Sequence, residues 1–203
     1  MLFEVSTIRL SSAIIAWTLA LLVGAAVSDR VAAAAISLSA GQAALPNIGK
    51  VVQSSPTSTG TFRVAAGSGA VSVISGTLTR VNAGSVTVPT YTLTCTNGNG
   101  GSNACGTGLP SVTVTIHNPV AATAATIAAF NASVALGVGA SSCGAIAGQN
   151  TTTLSFTCTV VNGNPGNGRA ETVATIALGM DISILSVANT GQQNPGYTIS
   201  TNP

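Results

Sequence analysis

The sequence predicts an all-β protein: an antiparallel β-sandwich preceded by an N-terminal signal helix. Three observations carry that expectation. Apolar and polar residues alternate with period two through most of the chain, as half-buried strands require. The alternating runs are separated by clusters of Asn, Gly and Ser, which supply the positive φ of tight turns. Only 5% of residues are charged, against about 25% in an average soluble protein. The outward positions carry Thr, Ser and Asn instead of Lys and Glu. Many short strands with such punctuation suit a sandwich or barrel.

The first element, residues 1–35, reads as a signal peptide. Arg9 precedes an uncharged stretch from Leu10 to Ser28, and small residues follow at Ala25, Ala26, Ser28 and Ala32 to Ala35. That is the order of positive, apolar and small-residue regions in a secretory signal. Cleavage fits after Ser28 or after Ala35. The uncharged stretch also falls within the roughly 17–25 residues of a spanning helix, so an uncleaved anchor is the rival reading. Residues 36–203 then form one secreted β-sandwich domain. Its first part, 36–60, opens with a short alternating piece and turns Ser/Thr/Pro-rich. It reads as an N-terminal strand or a flexible arm.

The strands follow in order. In "SVTVPTYTLTC", Val86 and Val88 share a face, and after Pro89 the apolar phase moves to Tyr91, Leu93 and Cys95. A slip beside a proline reads as a bulge or a strand edge. Val112, Val114 and Ile116 alternate with Thr, and His117 is expected to end that strand. The segment "NPVAATAATIAAFNASV" is Ala-rich enough for a helix, but the phase of Phe130, Ala132, Val134, Leu136 and Val138 favours a loop followed by a strand. Leu154, Phe156, Cys158 and Val160 form one face of the next strand. Ile176, Leu178, Met180, Ile182 and Ile184 form a face of another, with Asp181 and Ser183 opposite. "GYTIST" adds Tyr197 and Ile199.

Export gives the cysteines their meaning. Disulfides persist outside the reducing cytosol, and all four cysteines lie beyond the signal. Three pairings are possible. The sequential one is preferred: Cys95 with Cys105, and Cys143 with Cys158. Each pair closes a short Gly/Asn/Ser/Thr-rich loop, worth roughly 3 kcal/mol for about 15 residues. Such staples compensate for a core with few aromatics, which are 3% of the chain. A metal site is disfavoured, because Cys-x-x-Cys spacing is missing and His117 is the one histidine.

No catalytic constellation is legible, and no cofactor, metal or catalytic residue is assigned. Glu171 sits beside Arg169 after a Gly/Asn turn and reads as a solvated turn charge. Asp181 reads as a solvent-facing strand residue. His117 has no serine in a Gly-x-Ser-x-Gly context to serve. "GSGA" at 67–70 lacks phosphate-loop spacing. "NAS" at 131–133 and "NTT" at 150–152 match glycosylation acceptors that arise by chance in such a chain. A net charge of +2, scattered over Lys50, Arg63, Arg80 and Arg169, disfavours nucleic-acid partners.

Residues 45–95 carry a resemblance. Ile48-Gly49-Lys50-Val51-Val52, Gly60-Thr61-Phe62-Arg63-Val64 and Ser75-Gly76-Thr77-Leu78 resemble a bacterial secreted and surface domain of uncharacterised function. That domain is related to spore coat protein U and to pilin-like sandwiches. Gly179, Ile182, Ile184, Pro195, Gly196, Tyr197 and Thr198 are similar to its closing hairpin. Residues 96–170 have no counterpart in that pattern. The resemblance implies an immunoglobulin-like (pilin-like) sandwich and a structural, non-catalytic role at a bacterial surface, as a pilus- or coat-like subunit or an adhesion component. Partners would be itself or other surface subunits through strand addition, with the arm near Ile36 and Leu38 as donor. The membrane would be met only through an uncleaved signal. A monomeric, disulfide-stapled binding module for glycans or a host protein is the alternative, with residues 96–109 and 139–152 as its recognition loops.

Overall fold

Two antiparallel sheets face each other in the computed structural model, which describes residues 33–42, 45–55, 57–81, 83–99, 104–163, 166–185 and 193–203. Of the expected signal segment, residues 1–32 lie outside these residues, and its last residue, Ala35, begins the first strand. The first sheet contains β1 (Ala35–Gln42), β3 (Gly60–Val64), β4 (Val71–Gly76), β6 (Thr90–Thr96), β8 (Ala125–Leu136) and β11 (Ala170–Ile184). The second runs β12 (Gly196–Asn202), β7 (Ser111–Val120), β10 (Leu154–Val160), β9 (Ala140–Cys143). A two-stranded ribbon joins β2 (Val51–Val52) to β5 (Thr79–Arg80).

The long strand β11 organises the first sheet. Ala170 to Ala177 pair with β6, and Met180 to Ile184 pair with β3 on the same edge. The opposite edge pairs with β8 from Ala174 to Ile184. The outer ends of this sheet are β1, on β6, and β4, on β3.

Alternation in the sequence becomes burial. Leu93 and Cys95 on β6, Leu178 and Met180 on β11, Val112, Val114 and Ile116 on β7, and Leu154 and Phe156 on β10 meet in one core with Phe62, Val64 and Phe130. Each such side chain contributes about 1.5–3 kcal/mol when fully buried. Tyr197 of β12 packs edge-on against Phe130, with centroids 5.6 Å apart. Its hydroxyl shares a hydrogen bond with the buried Tyr91 hydroxyl on β6. The two tyrosines therefore tie β12 of one sheet to β6 of the other. Burial and this bond push the Tyr197 phenol well above its usual pKa.

Both disulfides follow the sequential pairing. Cys143 and Cys158 face each other across β9 and β10. Cys95–Cys105 ties residue 105 to β6.

Four local expectations meet the structure here. The slip at Pro89 is the start of β6, with Val88 buried before it. The strand containing His117 does not end there; it runs to Val120, with Asn118 at φ 54°. Asn tolerates this left-handed region better than most residues. The Ala-rich segment ends β7, forms a short loop and enters β8; Phe130 and Ala132 are buried as their phase indicated, but Leu136 and Val138 are exposed. The 36–60 arm is a strand at its start, because β1 pairs with β6 from Ala35 to Gln42.

Candidate functional site

The polar groups gather in two places, and both correct the sequence reading. On the outer face of the first sheet, Asp181 of β11 lies opposite Arg63 of β3. The guanidinium donates from Nε and Nη2 to the two carboxylate oxygens at 2.8 and 2.7 Å. Asp181 is buried, not solvent-facing. The Arg63 side chain from the neighbouring strand covers it, whereas Thr175, farther along the same face of β11, is exposed. Two parallel N–H···O bonds fix the pair's orientation as a single bond would not. Beside it, Thr61 and Ser183 share a hydroxyl bond of 2.8 Å.

Asn131 on β8 extends this cover. Its Oδ1 accepts from the Ala66 N–H at 2.8 Å, and its Nδ2 donates to the Val64 carbonyl at 3.1 Å. To do so it passes directly over Gly179, its register partner on β11. A Cβ on Gly179 would lie 2.3 Å from Asn131 Oδ1, 2.3 Å from the Val64 oxygen and 2.5 Å from the Ala66 nitrogen. Only glycine fits. The resulting depression, about 430 Å³ and open to solvent, is lined by Arg63, Asn131, Ser133, Gln149 and Asn150. The side-chain amides of Asn131 and Gln149 are already engaged. Gln149 accepts from the Ala132 N–H at 3.1 Å and donates to the Ala132 carbonyl at 2.9 Å. It thus acts as a one-residue strand on the outer edge of β8.

The second polar place lies at the disulfide end. Glu171, expected to be a solvated turn charge, is 3% exposed. It sits opposite Cys95 in the β6–β11 register, on the inward face. Its Oε2 accepts from the Gly163 N–H at 2.9 Å, and its Oε1 is buried without a partner. Alongside, the buried Asn97 accepts from the Cys105 N–H at 2.8 Å and donates to Asn162 Oδ1 at 3.0 Å. The loop after Cys95 is therefore held by a side-chain network as well as by the disulfide. In the sequence Asn97 is one of several Asn and Gly residues that follow Cys95. A buried role for it leaves no mark in an Asn/Gly repeat.

The sheet edges are the remaining feature. β4, "VSVISG", contains neither charge nor proline, and Val73 and Ile74 are 54% and 47% exposed. Edge strands are ordinarily protected by such residues. Among the described residues β1 pairs with β6 alone, with Ile36 and Leu38 half-buried against the core. Among the described residues no strand pairs with the outer side of either.

His117 lies in the β7 register opposite Thr198. Among the described residues no group of three or more His, Cys, Asp or Glu is placed to hold a metal ion. No helix among them is long and apolar enough to cross a membrane. The fold and these sites define an all-β, disulfide-bonded sandwich. No family model, curated protein or solved structure matches the chain.

Proposed function

We propose that this chain is an exported structural subunit of a bacterial surface, pilus- or coat-like, which assembles with copies of itself by exchanging β1. The observation that carries the reading is the seating of β1. Among the described residues it is the first strand, it occupies an edge position, and β6 is its one strand partner. A second copy offers the same β6 edge, so exchange replaces each contact with an identical one at low cost. Alternate side chains, Ile36 and Leu38, pack half-buried against the core, as in recognition by strand addition. The two disulfides, the signal-like segment and the Thr/Asn surface suit an oxidising, extracellular setting. No catalytic role is assigned.

Ser37 and Thr94 are register partners on the outer face of β1 and β6. The variant Ser37→Cys/Thr94→Cys should form a disulfide between copies if β1 is exchanged. Boiled, non-reducing gels should then show covalent multimers. A purely monomeric band containing the new bond would place β1 within its own chain and overturn the reading.

A further inference from the structure

The Asn162–Gly163 peptide lies inside an arrangement with the parts of a self-modification site. Conversion of an asparagine before glycine begins when the following backbone nitrogen loses its proton and attacks the side-chain amide carbon. Two things assist that step: a base on the N–H and a hydrogen-bond donor on the amide oxygen. Both are present. Gly163 N–H donates to Glu171 Oε2 at 2.9 Å, within the reach required of a general base. Asn162 Oδ1 accepts from Asn97 Nδ2 at 3.0 Å, which polarises the carbonyl under attack. The nucleophile and carbon are one residue apart, so the reaction is intramolecular and no substrate must be bound.

The surroundings fix these groups. Glu171 is buried and spans the register from Cys95. Asn97 is buried and held by Cys105 N–H. Glycine at 163 is required by packing, because a Cβ there would lie 2.6 Å from the Val138 oxygen and 3.2 Å from Glu171 Oε2. Asn162 itself is exposed, so water can reach it.

We propose that Asn162 is a site of Glu171-assisted self-conversion to aspartate and isoaspartate. The Gly163 N–H proton passes to Glu171, and the nitrogen forms a bond to Asn162 Cγ, closing a five-membered imide. The Cγ–Nδ2 bond breaks, and the departing nitrogen takes the proton back from Glu171 and leaves as ammonia. Water then opens the imide at either carbonyl. The sum is asparagine plus water to aspartate or isoaspartate plus ammonia, with Glu171 regenerated. The product places a second carboxylate beside Glu171 and removes the Asn97 amide's neutral partner. It therefore loosens the network that holds the stapled loop.

Asn167–Gly168 in the same loop is an internal control, because Gly168 N–H donates to the Asn97 carbonyl, which is no base. Purified full chain is incubated near neutral pH, below its melting transition, and mapped by peptide mass spectrometry with isoaspartate detection. Asn162 should convert at least about tenfold faster than Asn167, and Glu171→Gln should slow Asn162 by at least about tenfold while sparing Asn167. Equal rates at the two sites, or a rate at Asn162 indifferent to Glu171→Gln, would overturn the proposal. A second comparison needs no variant: Asn162 in the folded protein should convert faster than in the urea-unfolded, reduced chain. Slower conversion when folded would equally overturn it.

Discussion

Gly179→Ala tests the outer-face arrangement most sharply. The added methyl would meet Asn131 Oδ1, the Val64 oxygen and the Ala66 nitrogen, all at 2.3–2.5 Å. Two of these three are backbone atoms of the chain leaving β3, so no side-chain rotation relieves the clash. Asn131 must withdraw, which forfeits its two hydrogen bonds to Ala66 and Val64. Each is worth about 0.5–1.5 kcal/mol. With the backbone displacement the expected loss is about 2–4 kcal/mol, within the range of strained or network-breaking substitutions. For a domain of this size that lowers Tm by about 4–16 °C. Urea and thermal unfolding followed by circular dichroism measure it. Asn131→Ala alone should cost less, and Gly179→Ala should cost less in that background than in the wild type, because one of the clashing atoms is gone. A Gly179→Ala protein within about 0.5 kcal/mol of wild type would refute the reasoning, as would strict additivity in the cycle.

Two further predictions concern the ties between the sheets and the loops. Replacing Cys95 and Cys105 by serine should destabilise the domain by about 3 kcal/mol by the loop-entropy relation, read as a fall in Tm that full reduction of the wild type, which breaks both disulfides, equals or exceeds; an unchanged Tm would show that the hydrogen bonds around Asn97 hold residue 105 without the disulfide. Tyr197 has its folded pKa raised by burial and by the Tyr91 hydroxyl, so its contribution is complete below the unfolded value of about 10 and is lost as pH rises towards the folded value. Urea stability should fall above about pH 10 by up to about 1.4 kcal/mol per pH unit, a slope that Tyr197→Phe lessens; a Tyr197 ring that titrates near pH 10 in the folded protein, followed by NMR, would contradict this.

Much of the fold was legible because period-two alternation states directly which face is buried. Val112, Val114, Ile116, Leu154, Phe156 and Leu178 are in the core where their phase places them. The disulfide pairing was legible from loop spacing. The polar groups were misread for a physical reason. A charge on the polar phase of a strand is solvent-facing only if that face is bare, and Asp181 is covered by the Arg63 side chain from the neighbouring strand. Glu171 follows a Gly/Asn turn, yet β11 begins at Ala170 and turns its next side chain inward. Neither the pairing with Arg63 nor the register opposite Cys95 can be read from local sequence. The roles of Gly179, Asn131 and Asn97 depend on contacts between residues distant in the chain, and so were invisible for the same reason.

The central claim, assembly through β1, is tested most directly by non-reducing gel electrophoresis with and without boiling, on the full chain and on a variant lacking residues 33–42. A ladder of multiples that boiling collapses, and that the deletion abolishes, is the predicted result. A single monomer band in every lane, running faster than its reduced form, would contradict it and favour a self-contained, disulfide-stapled binding module.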